Sequence, residues 1–291
     1  MSERATMIEH DLEVNGITLH YATWGESTGP ERAVLLIHGL TASSYSWTTL
    51  GPALAEQGWY AIAPDLRGRG LSGKPPHGYG TPYHVNDLLA LCDALGLPTV
   101  HCIGHSLGAF IAFFLAGVHP KRLGRLVLID RGGRVPADAL QAIAPSLQRL
   151  GQVYPSLDAY LEERKQSPVY QWNPFWEAYF RYDANVHADG TVTSRVPKAA
   201  IEEEFMVDST INPDVPLSRI HAPTLILRAE LGTISPTQGY ILAADEAERV
   251  QGMIPGSRVV TIANTNHYTI TLADDFRREV LAFLAEAREQ A

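Results

Sequence analysis

The stretch Thr99–Phe110, TVHCIGHSLGAF, has the pattern of a buried strand that turns sharply and enters a helix. Its residues 104–108, GHSLG, fit the pattern G-x-S-x-G, in which glycines two positions to either side of the serine leave room for a tight turn. Such a turn holds the Ser106 hydroxyl out over the sheet, where it can act as a nucleophile. The alternative is a glycine-lined turn whose serine only caps the helix. The apolar strand and helix on either side favour the nucleophile.

The composition limits the class of protein. The chain has 291 residues, of which 45% are hydrophobic, enough for one large core with an inserted segment. A formal net charge of −9 leaves no basic surplus for phosphates, so we expect no nucleic-acid partner. The longest apolar run is too short to cross a bilayer, and Cys92 and Cys102 fall in runs that predict burial as small apolar groups. We therefore expect a cytoplasmic protein without membrane association or a disulfide framework.

Strands and helices alternate along most of the chain, which predicts an α/β fold with a mostly parallel eight-stranded sheet flanked by helices. The first two strands should form an antiparallel hairpin joined at Asn15-Gly16. After Arg131 the chain becomes helical and rich in aromatic residues, and strands resume at HAPTLILRAE. We predict a core of residues 1–131 and 217–291 with an inserted helical cap, residues 132–216. The predicted strands are 8–14, 17–24, 33–37, 60–64, 100–103, 126–129, 224–227 and 259–262.

Two backbone N–H groups are candidates for an oxyanion hole, the pair of donors that stabilises a developing negative oxygen. The N–H near Leu40 follows a predicted core strand in AVLLIHGLTASS, and that of Leu107 lies at the positive end of the helix after Ser106. His38 stands next to the first of these. We interpret it as a brace for the loop rather than a proton carrier.

Four stretches together resemble the α/β-hydrolase superfamily over nearly the whole chain outside the cap. They are VLLIHG at 34–39, APDLRGRGLSGKP at 63–75, GHSLG at 104–108 and NHY at 266–268. The likeness is greatest to the serine esterase and lipase-like branch, because the dehalogenase and epoxide hydrolase branches place aspartate at the position of Ser106. The resemblance implies this family's sheet, a cap over the site, and a triad in the chain order serine, acid, histidine.

His267 is the candidate base. It follows the last predicted strand in VVTIANTNHYTI, where the resemblance places the family's histidine. The family usually has glycine before this histidine, and here Asn266 stands instead. The alternative is that His267 only packs its loop.

The candidate acid departs from the family pattern. The family's carboxylate follows the seventh strand, but LRAELGTISP at 227–236 puts Gly232 there. Two replacements are within reach: Asp130 at the end of the sixth strand and Glu230 in the expected turn. Asp130 is favoured because the sixth strand should lie beside the strand of Ser106, about 4.8 Å away. Glu230 remains the alternative acid, and a site without an acid is the third possibility.

No cofactor or metal is expected. The glycine-rich DLRGRG at 65–70 lacks the lysine and threonine of a phosphate loop, and the histidines show no metal-ligand spacing. Residues 202–204, EEE, are interpreted as a solvated helix face.

These residues predict a carboxylesterase that works through an acyl-enzyme. Seven basic and twelve acidic side chains in an aromatic-rich cap favour neutral, apolar substrates of small to medium size. The expected partner is therefore a small-molecule ester, and the chain is expected to be a monomer or a homodimer. A lactonase, a cofactor-free perhydrolase and a carbon–carbon bond hydrolase would use the same serine and histidine and remain open. A ligand-binding module on a hydrolase scaffold is a further alternative.

Overall fold

A mixed sheet of eight strands forms the centre of the computed structural model, which describes residues 5–286 except 135 and 137. Its strand order is β1-β2-β4-β3-β5-β6-β9-β10, and a separate pair, β7 and β8, lies outside it. The strands are β1 Ile8–Val14, β2 Ile17–Trp24, β3 Ala33–Ile37, β4 Tyr60–Pro64, β5 Val100–His105, β6 Leu123–Ile129, β7 Ala184–Val186, β8 Val192–Ser194, β9 Thr224–Ala229 and β10 Arg258–Ile262.

The predicted α/β fold class is confirmed. Within the eight-stranded sheet, the neighbours in the order β4-β3-β5-β6-β9-β10 all pair in parallel, whereas β1 and β2 form the antiparallel hairpin and β2 pairs antiparallel with β4. Asn15 and Gly16 both have positive φ, 46° and 78°, as a two-residue hairpin turn requires. The strands β1–β4 have their predicted limits, and the other four predicted strands are one to three residues longer than predicted.

Helices cover both faces of the sheet because its strands are apolar on both sides. Leu35, Ile103 and Val127 of the central strands are fully buried. The helices are α1 Leu50–Glu56, α2 Thr81–Ala94, α3 Leu107–Val118, α4 Ala139–Leu147, α5 Leu157–Lys165, α6 Pro174–Asp183, α7 Lys198–Asp208, α8 Asp214–Leu217, α9 Ala244–Met253 and α10 Asp274–Ala285.

The segment between β6 and β9 contains α4–α8 and the antiparallel hairpin of β7 and β8, which the sequence did not predict. It has an apolar cluster of its own, in which the buried rings of Tyr160, Trp176 and Phe180 pack together. The aromatic residues that suggested the cap therefore pack mainly against one another. The limits of the cap as a domain, 132–216, stay a prediction.

Candidate active site

Ser106 lies at a sharp turn between β5 and α3. Its φ is 57°, a left-handed conformation that is uncommon for a residue with a side chain. A Cβ on Gly104 would lie 2.2 Å from the Gly108 carbonyl oxygen, and one on Gly108 would lie 2.0 Å from that of Ile37. Only glycine fits at either place, so the two glycines permit the turn that presents the serine hydroxyl.

Ser106, His267 and Asp130 are hydrogen-bonded in series. His267 Nε2 lies 3.0 Å from Ser106 Oγ, and His267 Nδ1 donates to Asp130 Oδ2 at 2.7 Å. Because the carboxylate can only accept at Nδ1, Nε2 is left without a proton and can accept that of the serine. His267 and Asp130 are buried, with 5% and 2% of their surfaces exposed. The geometry is that of a serine–histidine–aspartate triad.

The register of the sheet puts Asp130 beside Ser106. His105 pairs with Ile129, so the residues that follow them leave adjacent parallel strands at the same level. The backbone N–H of Asp130 donates to Leu227 O at 2.7 Å, and its Oδ1 accepts from the N–H of Ala229 at 2.9 Å. Hydrogen bonds to β9 thus orient the carboxylate, although Asp130 itself follows β6.

The two other positions considered for the acid are placed differently. Glu230 is exposed and accepts from the Asn264 N–H at 2.7 Å, and none of its hydrogen bonds among the described residues goes to His267. At Gly232, the family's usual acid position, a Cβ would lie 1.8 Å from the carbonyl oxygen of Gln238. The turn after β9 therefore has no room for a side chain where the family places its carboxylate.

The loop that carries His267 is shaped by the unusual Asn266. Its Oδ1 accepts from the N–H groups of Tyr268 and Thr269 at 3.0 and 3.2 Å, a local turn that asparagine forms readily. Its Nδ2 donates to Val169 O in the cap at 2.7 Å. The asparagine thus orders the histidine loop and ties it to the cap.

His105 is a site residue that the sequence analysis missed. Its Nε2 donates to the backbone carbonyl of His267 at 2.9 Å, and the two rings lie 4.7 Å apart. Burial, and then the nearby His267, hold the pKa of His105 well below the usual value, so the ring is neutral. Its position beside Ser106 in GHSLG was the only signal in the sequence.

The N–H groups of Leu40 and Leu107 are free of hydrogen bonds within the described part of the chain, and both residues line the cavity beside Ser106. The Gly39 carbonyl accepts from His38 Nδ1 at 2.8 Å and from the Ala42 N–H at 3.2 Å. Because the C=O and N–H of one peptide point in opposite directions, these bonds fix the Leu40 N–H as well. Two backbone donors without a partner among the described residues thus belong to residues that line the cavity beside Ser106.

His38 has the bracing position expected from the sequence. Both ring nitrogens are occupied, since Nε2 accepts from the Leu66 N–H at 3.0 Å. Burial lowers the pKa of His38 to about 4, so the ring is neutral near pH 7.

A buried ion pair between the core and the cap holds the oxyanion loop. Arg69 Nε donates to Leu40 O at 3.0 Å, and the same guanidinium pairs with Glu204 of α7. Glu204 also bonds His84 Nε2 at 2.9 Å, and 1% of its surface is exposed. The interpretation of residues 202–204 as a solvated face is therefore wrong for Glu204. Its two partners are over a hundred positions away in the chain, so the local sequence gave no sign of them.

A second buried arginine, Arg149 of the cap, binds the next peptide. Arg149 donates to Thr41 O at 2.7 Å and pairs with Asp183 at 3.0 Å. The carbonyls of Leu40 and Thr41 are thus both anchored by guanidinium groups, one of them carried by the cap.

A cavity of about 750 Å³ opens over Ser106. Its lining is mainly apolar, with side chains from the core and from the cap. Among the apolar lining residues are Leu40, Leu107, Phe110, Ile143, Phe175, Trp176, Tyr179, Phe205, Ile241 and Tyr268. Residues 5–286, apart from 135 and 137, contain no group of side chains suited to hold a metal ion. The helices of the same described residues include none that is long and apolar enough to cross a membrane.

The fold and the site together define a hydrolase. The family profile described as the alpha/beta hydrolase fold matches residues 32–273, so the chain belongs to the α/β-hydrolase fold family. The resemblance seen in the sequence is thereby confirmed. The crystal structure of E-2-(acetamidomethylene)succinate hydrolase has a TM-score of 0.84, covers 96% of this chain and 100% of that chain, and is 22% identical, a likeness of fold.

Two curated relatives illustrate the range of the family. Epoxide hydrolase 2 of Siraitia grosvenorii is 41% identical over 123 residues, which are 41% of this chain and 38% of the relative. The chain spans 34–41% of the length of the epoxide hydrolases that it matches first. RutD of Variovorax paradoxus, assigned as a carbamate hydrolase, is 28% identical over 272 residues, 92% of this chain and 96% of the relative.

Proposed function

We propose that this protein is a carboxylesterase-type serine hydrolase, with Ser106 as nucleophile, His267 as base and Asp130 as acid. The observation that carries the proposal is the hydrogen-bonded series Asp130–His267–Ser106, which ends in a cavity beside two unpaired N–H groups. Epoxide hydrolases of this fold resemble the chain in part, but they place aspartate where Ser106 stands. The reaction proposed here therefore passes through a serine ester.

The first half-reaction forms the acyl-enzyme. Ser106 Oγ attacks the ester carbonyl carbon while His267 Nε2 takes the hydroxyl proton. The carbonyl oxygen becomes an oxyanion and accepts from the N–H groups of Leu40 and Leu107. The bond to the leaving alcohol then breaks, and His267 gives its proton to that alcohol. Asp130 keeps Nδ1 protonated and stabilises the imidazolium without taking the proton itself.

The second half-reaction releases the acid. Water attacks the acyl carbon as His267 accepts its proton, and the same two N–H groups again hold the oxyanion. The ester bond to Ser106 then breaks, and the proton returns to Oγ. Ser106 and His267 thus end in their starting states, and every proton is accounted for by the two side chains.

The lining supports an apolar acyl or alkyl group of small to medium size, the class expected from the sequence. Lactones, peracid formation and carbon–carbon bonds remain alternative reactions on the same three residues. A small-molecule ester as partner, a monomer or homodimer, and a cytoplasmic location stay proposals from the sequence.

Cleavage of an acyl–nitrogen bond is the second candidate. It is favoured by the likeness to RutD, which extends over 92% of this chain, whereas the likeness to epoxide hydrolases 2 and 3 of Siraitia grosvenorii covers 41% of it. The same serine and histidine would act, with an amine or ammonia as leaving group.

A panel of 4-nitrophenyl esters of graded acyl length, lactones and N-acyl compounds tests the proposal. Wild type should hydrolyse at least one ester, and Ser106→Ala should lose this turnover by a factor of about 10⁶ while keeping its circular dichroism spectrum. Ester turnover that survives in Ser106→Ala would refute the mechanism. Preference for N-acyl compounds over esters would select the second candidate.

A further inference from the structure

Arg131 directly follows Asp130, and its side chain lines the same cavity as Ser106. Its guanidinium carbon lies 5.2 Å from the centre of the Phe110 ring, a second residue of the lining. A guanidinium over an aromatic ring is attracted to the ring face and keeps the N–H groups at its own edge available. The site therefore contains an oriented arginine close to its proposed reacting groups.

This guanidinium has no ion-pair or hydrogen-bond partner among the residues that the structure describes, and its Nε–H is buried. Three buried arginines are paired instead: Arg67 with Asp87, Arg69 with Glu204 and Arg149 with Asp183. Arg131 is half-buried, and a buried N–H without an acceptor is costly, so a ligand that supplies an acceptor is favoured there. Arg131 differs from these three arginines, because its guanidinium lines the cavity and its Nε–H has no acceptor among the described residues.

The two carboxylates whose charges act on Arg131 already accept hydrogen bonds from other residues. Asp208 accepts from the N–H and hydroxyl of Thr81 at 2.8 and 2.9 Å. Glu246 accepts from Arg249 at 2.7 and 2.8 Å. Burial lowers the pKa of Arg131 to about 10 despite these acids, which leaves the side chain charged at neutral pH. Asp208 and Glu246 thus act on Arg131 through their charges, but neither is in direct ion-pair contact with its guanidinium.

We propose that Arg131 binds a carboxylate of the substrate, so that the preferred substrates are monoanionic acyl compounds such as half-esters of dicarboxylic acids. The inference rests on the proposed function and narrows its substrate class. A guanidinium edge matches the two oxygens of a carboxylate, and the apolar lining suits the chain between that carboxylate and the scissile bond. The proposed substrate differs from the neutral one expected from the sequence, because one of its ends is charged.

Matched substrate pairs test the proposal. One set is the mono-4-nitrophenyl esters of succinate to suberate, each beside its methyl-capped diester, with uncatalysed hydrolysis subtracted. A second pair, 4-acetoxybenzoate and its methyl ester, carries the carboxylate on the leaving side. Wild type should favour at least one acid over its capped partner by about 10- to 100-fold in kcat/KM, the range of a charged hydrogen bond.

Substitution of Arg131 should remove the preference for the acids over their capped esters. Arg131→Met should bring the ratio near 1 and leave turnover of the capped esters in place, which also shows that the variant folds. Arg131→Lys should keep part of the ratio. Arg278→Gln is the matched control, because it removes the same charge from a side chain that is 66% exposed, lies 2.6 Å from Asp275 and is outside the cavity lining; it should keep the wild-type ratio.

A binding measurement separates this inference from the proposed function. Calorimetry with free adipate and glutarate on Ser106→Ala should show binding that Arg131→Met in the same background weakens at least 10-fold. If no ester is hydrolysed but this binding occurs, the proposed function fails and the carboxylate site stands. If esters are hydrolysed but acids and capped partners are equivalent, or Arg131→Met keeps the preference, the inference is overturned.

Discussion

At the scale of single residues, Asp130 shows how a triad can be kept when its acid changes strand. The crowded Gly232 leaves no space for a carboxylate after β9. The end of β6 lies one strand nearer to Ser106, a displacement of about 4.8 Å, and the His267 loop reaches it. Asp130 also has φ of 49°, a conformation that aspartate tolerates better than most residues.

Asp130→Asn should lower kcat with the best 4-nitrophenyl ester by about 10⁴, because the amide no longer holds the productive tautomer or stabilises the imidazolium. Glu230→Gln should change kcat by less than about threefold, since it loses only an exposed carboxylate and keeps an oxygen for the Asn264 N–H. Steady-state kinetics of both purified variants measure the difference. The reverse ranking would assign the acid to Glu230.

His105 acts through His267, so we class it as a positioning residue. His105→Phe removes the donor to the His267 carbonyl and should lower kcat about 10- to 100-fold with little change in KM. His105→Gln, whose amide can donate, should recover part of that loss. A change confined to thermal stability, with kcat as in wild type, would show that the bond is only structural.

At the scale of elements, α7 is joined to the oxyanion loop by the series Glu204, Arg69 and Leu40 O. Burial alone would raise the pKa of Glu204, but Arg69 and His84 overcome it and hold the pKa at about 2, against an ordinary value of 4.5. The folded state therefore favours the ionised carboxylate. Its contribution to stability is present above about pH 4.5 and is lost as the pH falls toward 2.

Glu204→Gln should lower the free energy of unfolding by about 3 kcal/mol at pH 7, because Arg69 stays buried without its partner. Urea unfolding at pH 7 and pH 3 should show a smaller acid effect in this variant than in wild type. Glu202→Gln is the control: its carboxylate is 64% exposed and lies 3.6 Å from Lys198, so it should cost no more than about 1 kcal/mol. Equal stability losses in the two variants would contradict the buried pair's role.

The sequence predicted those elements whose signals are local. β1–β4 were predicted with the limits they have, because alternation, β-branched residues and the Asn15-Gly16 turn act over a few residues. The hairpin of β7 and β8 has strands of three residues each, too short for a periodic signal. Glu204 was misinterpreted for a related reason: its burial depends on Arg69 and His84, which only the folded chain brings near.

At the scale of the whole molecule, core and cap meet around one cavity, and the site depends on both. Ser106 and His267 could be predicted from their positions in the order of strands and loops. For the acid, the sequence left two candidates, Asp130 and Glu230. The register between β5 and β6 places Asp130 within hydrogen-bond distance of His267. This register could not be predicted from the sequence of either strand alone. His105 contacts His267 and Arg131 contacts Phe110 only in the folded chain, and no sequence pattern indicated either contact.

The central claim is that Ser106, activated by His267, forms the covalent intermediate. Its most direct test is reaction of the intact protein with a fluorophosphonate, which mimics the tetrahedral state, followed by peptide mass spectrometry. We expect one adduct per chain, on Ser106, formed much more slowly in His267→Ala and absent in Ser106→Ala. A protein that stays unlabelled, or that is labelled only at another residue, would contradict it.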